Sequence, residues 1–396
     1  MLRHLLKLTW KRKSRNLMLS LEILLAFAIV FAISAFAIRN YQLYQLPVGF
    51  DSQDVWSVTL RPADERAQIS AATYDAFKRG LKELPEVTQV AAASFEPYSS
   101  SGIGGSWKNP AGASVFTDML DADDDFGRLM GLRLVAGRWF SPLDDGASAI
   151  PVVLNRSMAG AMFPDASALG RQFVDTDSDG RIVYKVVGII DEYRAGGELS
   201  SPGNFTFVRM GHGAAPRPVH TLMLKLKPGT PRSFEVRLSR QLKLVQNEWS
   251  YQVMPQSAMR RGAMSTRMVP LIVLGVIAGF MLLMVAFGLF GALWQNTTQR
   301  IPEIGLRRAL GASAASIYRQ IVAEQMLLSS VAIVVALGLL VQLPLTGALG
   351  DSLNWTVFGA AAGLSMGVIY LISLLCAVYP GWRASRLSPT EALHYE

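Results

Sequence analysis

The sequence is poor in the residues from which most enzyme active sites are built. It has one cysteine, Cys376, so the chain cannot form an internal disulfide. None of its four histidines has metal-ligand spacing to another, and no nucleophile motif accompanies them. No glycine is followed by lysine, so the Gly-x-x-x-x-Gly-Lys-Ser/Thr loop that cradles nucleotide phosphates is absent. We therefore predict no catalytic residue, no metal site, no bound cofactor and no ATP hydrolysis in this chain.

Charged residues are also scarce, at 17% of the chain against 51% hydrophobic residues, and the mean hydropathy is +0.27. Four apolar runs are long enough to cross a hydrocarbon core, which takes about 20 helical residues. Because backbone groups inside a bilayer must be satisfied within their own segment, each run is predicted to be a helix. The predicted spans are Leu17–Ile38, Val269–Trp294, Ile321–Leu343 and Trp355–Val378.

The net charge of +8 is unevenly distributed. Lysine and arginine are concentrated in residues 1–16, in the loop 295–320 and in the tail 379–396, whereas the loop 344–354 has neither. Because positive residues stay on the cytoplasmic side of a membrane, both termini and the loop 295–320 are predicted to be cytoplasmic. The large domain, 39–268, then lies outside. The excess charge therefore reports topology, and we expect no nucleic-acid partner.

The first apolar run has a second interpretation, because a basic stretch and a small-residue motif at 35–37 are also typical of a secretory signal peptide. The run is clearly longer than the roughly 7–15 apolar residues of such a signal, so we expect a retained anchor. Residues 1–16 place leucines and Trp10 at helical spacing among basic residues. This pattern predicts an amphipathic helix on the inner leaflet.

The large domain reads as mixed α and β, with two subdomains, the second inserted into the first at about residues 100–215. Alternating apolar residues predict strands, and apolar residues three and four apart predict helices. The predicted strands of the first subdomain are Val55–Leu60, Val87–Phe95, Val219–Leu226 and Tyr251–Met254, and its helices are Arg66–Leu84 and Ser233–Asn247. The inserted part has a strand pair, Phe173–Thr176 and Val183–Ile190.

Two acidic stretches of the inserted part are candidate cation sites. Asp175-x-Asp177-x-Asp179-Gly180 resembles the opening of a calcium loop, but Val186 stands where a bidentate carboxylate is required. A hairpin turn is the simpler interpretation. The run from Asp121 to Asp125 has no histidine or cysteine near it in the sequence, and we expect it to be a solvated loop.

The loop between the second and third spans carries a short helical signal. Pro302 suits the first turn of a helix, and Glu303 beside it suits the positive end of the helix dipole. Arg307 and Arg308 suit the other end, and Gly311 is expected to end the helix. This is an amphipathic helix with one exposed acid. It either docks a cytosolic partner or only tightens the turn between two spans.

Two of the spans carry small-residue faces that allow helices to approach closely. Gly275 and Gly279 are four apart in the second span, and Gly359, Gly363 and Gly367 repeat the spacing in the fourth. Such a face serves either packing within the chain or a dimer seam. We assign Gly275 and Gly279 to a candidate seam and expect the glycines of the fourth span to pack internally.

The connecting loop also resembles the signature segment of MacB/FtsX-type permeases of ATP-binding-cassette (ABC) systems. The matching residues are Arg300–Ala312, Ile317, Gln320 and Glu324 in the loop and Ala384, Leu387, Pro389, Glu391-Ala392-Leu393 and Glu396 in the tail. The tail departs from the family at Gly381-Trp382 and His394, where basic residues are usual. Within the large domain, Gly137–Phe140, Val152–Asn155, Met162–Pro164, Leu169-Gly170 and Val186–Ile189 resemble, in order, the periplasmic core domain of MacB-type permeases.

The resemblance implies a non-catalytic permease of the bacterial inner membrane, with four spans arranged as one plus three around a large periplasmic domain. It implies a separate ATPase subunit that binds ATP and Mg²⁺, a second permease subunit in a homo- or heterodimer, and a periplasmic adaptor with an outer-membrane channel for efflux. Lipoprotein release and FtsX-like regulation of a cell-wall hydrolase are the alternatives. The ATPase-coupling residues carried over are Pro302, Glu303, Ile304, Gly305, Arg307, Arg308 and Gly311, with tail contacts at Glu391 and Leu393.

Overall fold

The computed structural model describes residues 13–62, 69–99, 102–174, 182–211 and 220–386. The chain divides into two units by its internal contacts. One, the membrane unit, comprises residues 1–42 and 268–396, and the other, the large domain, comprises residues 43–267. The predicted amphipathic helix before residue 13, the acidic turn at 177–180 and the tail contacts Glu391 and Leu393 lie outside the described residues.

The large domain contains both helices and strands, whereas helices alone make up the membrane unit in the described part of the chain. The helices are α1 (Lys13–Gln45), α2 (Ala71–Lys82), α3 (Phe126–Leu129), α4 (Arg156–Met162), α5 (Phe234–Val245), α6 (Gln256–Thr298), α7 (Ile301–Ala309), α8 (Ala314–Leu340), α9 (Gln342–Thr346) and α10 (Trp355–Arg386). The strands are β1 (Val55–Arg61), β2 (Val87–Ala93), β3 (Ile103–Lys108), β4 (Ser114–Ala122), β5 (Leu134–Gly137), β6 (Ile150–Asn155), β7 (Gln172–Val174), β8 (Val183–Ile190), β9 (Phe205–Arg209), β10 (Thr221–Leu226) and β11 (Ser250–Pro255).

Four helices, α1, α6, α8 and α10, are long and apolar enough to cross a membrane. Each contains one predicted span, except that α8 ends at Leu340 and the third span continues into α9. The helices also run past the apolar runs at most ends, most of all in α6, which begins at Gln256 and has 43 residues. Apolar composition marks the part of a helix that suits lipid, and it does not mark where the helix stops.

The core of the membrane unit lies between α1, α8 and α10. Phe27 and Phe31 of α1 are buried, and the ring of Phe31 packs edge-on against Phe358 of α10 at 5.2 Å. Hydroxyl pairs join α8 to α10, with Ser329 Oγ 2.7 Å from Ser373 Oγ. Buried hydroxyls that bond each other across helices stabilise packing where lipid offers no hydrophobic driving force. In contrast, only 6% of the most apolar stretch of α6 is buried, against 39% in α1 and α10.

The large domain is built on one continuous eleven-stranded sheet in the described residues, in the order β11-β1-β10-β2-β4-β9-β6-β8-β5, with β3 on β4 and β7 on β8. The strands β11, β1, β10 and β2 pair antiparallel, and β2 meets β4 through a single residue pair, Ala93 and Ala122. Because β3 to β9 come between β2 and β10 in the chain, this order is the one that an inserted subdomain produces.

The two subdomains nevertheless share a core. The first has its own apolar layer, in which Phe77 of α2 and Leu238 of α5 cover Leu224 of β10. A second cluster joins Ala91 and Met223 of the first subdomain to the buried aromatic rings of the inserted one, among them Phe207. The insertion is therefore part of one compact unit.

Most predicted strands and helices of the large domain are present with small shifts at their ends. The predicted helix Arg66–Leu84 begins later, because Ser70 adopts an extended backbone and its hydroxyl accepts a hydrogen bond from the Thr73 amide at 3.2 Å. A serine in this position caps a helix, so α2 starts at Ala71. Residues 63–68 lie outside the described residues.

The motif glycines Gly137 and Gly188 allow β5 and β8 to come close together. Gly137 has a φ of +72°, and a Cβ there would lie 2.4 Å from the carbonyl oxygen of Val187. A Cβ on Gly188 would lie 2.2 Å from the carbonyl oxygen of Arg138. No side chain fits at either position. Glycine is therefore required at these two motif positions by the close approach of the backbone, and no role in binding or catalysis is needed to explain it.

The acidic run is not the solvated loop that its composition suggested. Asp123 is 9% exposed, forms an ion pair with Lys78 at 2.5 Å and accepts hydrogen bonds from the amides of Ala92 and Phe126. Burial raises the pKa of its carboxyl group, and Lys78 partly offsets that effect. Both carboxylate oxygens of the neighbouring Asp124 accept hydrogen bonds from the Arg209 guanidinium, from Nε at 2.7 Å and from Nη2 at 2.8 Å. The run is an internal polar joint between elements.

Asn155, the last residue of a family-like motif, is fully buried and uses its whole amide. Its Oδ1 accepts from the Met158 amide, which caps α4, and from the Phe205 amide at the start of β9, both at 2.9 Å. Its Nδ2 donates to the Gly203 carbonyl at 2.8 Å and to Glu192 at 3.2 Å. One side chain therefore fixes a helix start and a neighbouring strand.

We predict that Asn155→Ala lowers the free energy of unfolding of the large domain by about 2–4 kcal/mol. A lost helix cap costs about 1 kcal/mol, and each buried group left without a partner costs about 1–3 kcal/mol. Chemical unfolding of the purified full-length chain, followed by tryptophan fluorescence, measures the change. Asn109→Ala is the control, because Asn109 bonds the Ala113 amide in an exposed turn. Equal small losses in both variants would contradict the assignment.

Candidate coupling site

The loop between α6 and α8 folds as the short helix α7, Ile301–Ala309. Pro302 lies in its first turn, Glu303 near its amino end, and Arg307 and Arg308 in its last turn. The helix ends two residues before Gly311, which takes a φ of +98° and donates its amide to the Arg308 carbonyl at 3.0 Å. A glycine with positive φ directly after a helix reverses the chain at low cost.

One face of α7 is fixed to the ends of two long helices. Ile304 is 7% exposed and packs with Ile317 of α8 and Ala384 of α10. Ile301 and Gly305 are buried on the same side. These contacts join α7 to α8 and α10, so a force applied to α7 acts on both helices.

A chain of polar contacts adds to this apolar anchor. Arg300 forms an ion pair with Glu324 of α8 at 2.6 Å, and Glu324 also accepts from Gln320 at 3.0 Å. Gln320 in turn accepts from Arg307 at 2.9 Å, and Arg307 pairs with Glu303 at 2.6 Å. Five of the family-like residues are thus brought together. Glu303 is half exposed, as expected for the exposed acid of this helix, and its carboxylate pairs with Arg307.

The other face of α7 points away from the protein and is partly apolar. Leu306 is 59% exposed and Leu310, just past the helix, is 80% exposed. Pro302, Glu303 and Ala309 are exposed as well. The spacing of Pro302, Leu306 and Leu310 by four residues could have predicted this stripe, but the sequence analysis missed the two leucines. An apolar centre beside a charged pair is typical of a surface that a partner covers.

An aromatic ladder lies beside this anchor. The rings of Phe290 and Trp294 on α6 stack on Tyr379 of α10, and Tyr379 stacks on Trp382. The guanidinium of Arg383 lies 4.6 Å from the centre of the Trp294 ring. The ladder joins the ends of α6 and α10 through flat contacts, and cation–π attraction adds to them.

The departure from the family at Gly381-Trp382 fits its surroundings. A Cβ on Gly381 would lie 3.1 Å from the ring of Tyr318 on α8, so the missing side chain lets this ring rest against α10. Trp382 stacks on Tyr379 and carries Arg386 on its ring at 4.6 Å. Aromatic packing takes the place of the usual basic pair here.

The glycines of the two small-residue faces, in α6 and α10, face open space. Nothing lies within 4 Å of a Cβ built on Gly275 or Gly279, so these two residues do not serve packing within the described part of the chain. The same holds for Gly359, Gly363 and Gly367, and the expectation that they pack internally was wrong. Helix α10 instead buries the neighbouring face that contains Val357 and Ala361.

Among the described residues, no cluster of His, Cys, Asp or Glu could hold a metal ion.

The family models agree with this architecture. The MacB-like periplasmic core domain matches residues 23–235, more than half of the chain, and the FtsX-like permease C-terminal model matches residues 275–389. The chain belongs to the MacB/FtsX-type permease family of ABC transporters. The second match contains α7 and most of the three helices around it, and thus the whole anchored loop.

Curated relatives differ in how much of their length this permease spans. It is 23% identical to the ABC transporter permease YknZ of Bacillus subtilis over 97% of this chain and 96% of that protein. It is 25% identical to the macrolide export ATP-binding/permease protein MacB of Marinobacter nauticus over 66% of this chain and 41% of that protein. It is 23% identical to the pyoverdine export ATP-binding/permease protein PvdT of Pseudomonas savastanoi over 98% of this chain and 58% of that protein. The permease thus spans well under two thirds of MacB and PvdT.

Among solved structures, the periplasmic region of MacB from Actinobacillus actinomycetemcomitans matches with a TM-score of 0.40 and 13% identity, over 56% of this chain and 97% of that one. The extracellular domain of YknZ matches with a TM-score of 0.35 and 15% identity, over 50% of this chain and 99% of that one.

We predict that Glu324→Ala loosens α7. The substitution removes the ion-pair partner of Arg300. Because the two side chains are only 22% and 18% exposed, we expect the contact between α7 and α8 to lose about 1–2 kcal/mol of stabilising free energy. Amide hydrogen exchange across residues 300–312 should accelerate about tenfold in the detergent-purified chain. Glu303→Ala is the control, because it breaks only an exposed pair within the helix, worth about 0.3–0.5 kcal/mol. The same exchange rates in both variants would contradict the role given to Arg300 and Glu324.

Proposed function

We propose that this permease transmits ATP-driven motion from a separate ATPase subunit to its large domain. The observation that carries the proposal is the two-sided nature of α7. Its buried face, with Ile304, is fixed to α8 and α10, while its exposed stripe, with Leu306 and Leu310, has nothing on it among the described residues. A surface of this kind receives a partner on one side and passes displacement to the spans on the other. ATP and Mg²⁺ bind to the ATPase in this scheme, and this chain holds no cofactor.

The charge distribution sets the orientation that the proposal requires. The basic loop around α7 and both basic termini lie in the cytoplasm of the bacterial cell, the four spans cross the inner membrane, and the large domain lies in the periplasm. The ATPase is then on the same side as α7. Arg260, Arg261 and Arg267 lie on the far side, where long translocated domains are poorly governed by the charge rule.

The transmitted motion serves efflux in this proposal. Relatives named as macrolide and pyoverdine export proteins support that assignment, since they match along most of this chain. The large domain would pass substrate to a periplasmic adaptor and an outer-membrane channel, and no pore through the four spans is needed. In the two alternatives, lipoprotein release and regulation of a cell-wall hydrolase, the ATPase would also dock on α7. They differ from efflux in what the large domain contacts.

We predict that Leu306→Asp and Glu303→Lys each reduce the amount of ATPase that copurifies with the tagged permease. A charged residue in the apolar centre of an interface costs about 2 kcal/mol or more, roughly a thirtyfold loss in affinity. The copurified ATPase is measured in mild detergent. Leu345→Asp is the control, since this leucine is also exposed, at 67%, but belongs to α9.

Retention of the ATPase by both Leu306→Asp and Glu303→Lys would place the docking surface elsewhere. The proteins recovered beside the ATPase also separate the outputs: an adaptor supports efflux, whereas lipoproteins or a hydrolase support the alternatives.

We also propose that the permease works as a dimer whose seam is the open face of α6. The pair Gly275→Leu with Gly279→Leu should lower the dimer fraction in mild detergent at least several-fold, because bulky side chains keep two helix backbones apart. Gly359→Leu with Gly363→Leu is the matched control, since these glycines of α10 are equally open. Dimer loss only in the α10 variant would move the seam to α10.

A further inference from the structure

One loop of the large domain, residues 193–200, lies where the chain enters and leaves that domain. Its Arg194 is 2% exposed. The guanidinium donates through Nη1 to the carbonyl oxygens of Leu43, at 3.0 Å, and Leu46, at 2.9 Å, at the end of α1. Its Nε donates to the Ser200 carbonyl at 2.9 Å, which holds the loop closed on itself. A buried arginine with all of these donors occupied is a fixed joint.

The same loop also holds the beginning of α6. Glu198, whose side chain is 12% exposed, forms an ion pair with Arg260 at 2.6 Å. Arg267, two turns further along α6, donates to the Leu199 carbonyl at 2.9 Å. The end of one long helix and the start of another are therefore held by seven consecutive residues, Arg194–Ser200, which we name the clasp.

The backbone of the clasp leaves little room for adjustment. Gly197 has a φ of +83°, and a Cβ there would lie 2.4 Å from the ring of Tyr98. Tyr98 itself has a φ of +66°, rare for a residue with a side chain, and its amide donates to the Ala195 carbonyl at 2.7 Å. Residues kept in such sparsely populated conformations require surroundings that over-determine them.

From these contacts we infer that the clasp is the element through which α1 and α6 move the large domain as one body. This inference rests on the proposed function, because it supplies the output step of the proposed transmission. Helices α1 and α6 both continue as helices from the clasp into their apolar stretches, α6 with Pro270 inside it. A helix end that was free to slide against the domain would absorb a displacement, whereas a joint at both helix ends passes it on.

A purely structural role explains less of this geometry. Satisfying the last carbonyls of α1 needs only Arg194, since arginine near a helix end commonly bonds the orphan carbonyls there. The ion pair of Glu198 with Arg260 adds nothing to that cap. It connects the loop to the other helix, 62 residues along the chain. Arg194 and Glu198 are therefore positioning residues for the transmitted motion.

The experiment uses the complete permease with its ATPase and exchanges the charges of the Glu198–Arg260 pair. Two spin labels, at Val135→Cys in the large domain and Leu345→Cys in α9, report the distance between the domain and the membrane unit in a Cys376→Ala background. Both label positions are exposed. The distance is measured by pulsed electron paramagnetic resonance with ADP and with a non-hydrolysable ATP analogue, and ATP turnover is measured in parallel.

We expect Glu198→Arg and Arg260→Glu each to lose most of the ATP-dependent shift in distance while ATP turnover and ATPase binding persist. The double exchange should restore the shift, because the pair forms again with reversed charges, and general destabilisation would not be rescued in this way. Arg261→Glu is the matched control: it makes the same change of charge one residue along, at an exposed arginine, and should keep the shift.

A full shift in both single variants would overturn the role of the clasp and leave the proposed function intact. Loss of the shift in the single variants without recovery in the double exchange would equally contradict an ion-pair joint. Absence of any shift in the permease with its natural clasp would overturn the proposed transmission itself, and the inference with it.

Discussion

The structure depends on one constraint of the bilayer: the backbone of a spanning segment must form its hydrogen bonds within that segment. Four long helices satisfy it, the third span continuing from α8 into α9, and the two that lead to the large domain, α1 and α6, extend well beyond their apolar stretches. A hydrogen-bonded helix resists bending and stretching, so these helices are suited to carry displacement. What then matters chemically is what holds their ends. The contacts that distinguish this permease are accordingly concentrated at helix ends, in α7 and in the clasp.

Apolar and polar contacts have different roles in holding α7. Ile304 contributes burial, while the ion pair of Arg300 with Glu324 joins the start of α7 to α8. The ladder from Phe290 to Trp382 joins α6 to α10 beside the same loop. A partner that pushes on Leu306 would therefore act on three long helices together, and no single contact has to carry the whole displacement.

The sequence predicted the features that depend on local composition. Four apolar runs predicted four spanning helices, and Pro302 with Gly311 predicted a short helix close to the observed α7. Predictions from the sequence failed where the environment of a residue depends on partners far away in the chain. Asp123 looked solvated because Lys78 and Ala92, which bind it, are far away in the chain.

The faces of the helices likewise show what local sequence can predict and what depends on tertiary contacts. The spacing of glycines in the fourth span indicated a small-residue face, but only the packing of α10 against α1 and α8 decides that this face stays open. Likewise, the spacing of Leu306 and Leu310 places them on one face of α7, and the burial of Ile304 against α8 and α10 leaves that face exposed. Helix periodicity defines faces, and tertiary contacts decide which face remains free.

Cross-linking from Leu310 tests the central claim, that α7 is where the ATPase docks. Leu310 is 80% exposed, and Leu310→Cys in a Cys376→Ala background provides a single reactive thiol. The permease is treated in its native membrane with a short thiol-to-amine cross-linker, and the adducts are identified by mass spectrometry. The account predicts an adduct with an ABC ATPase whose yield changes when ATP is added. The absence of an ATPase adduct from Leu310→Cys would contradict it, and Leu345→Cys, at the other end of the third span, is the control that should give none.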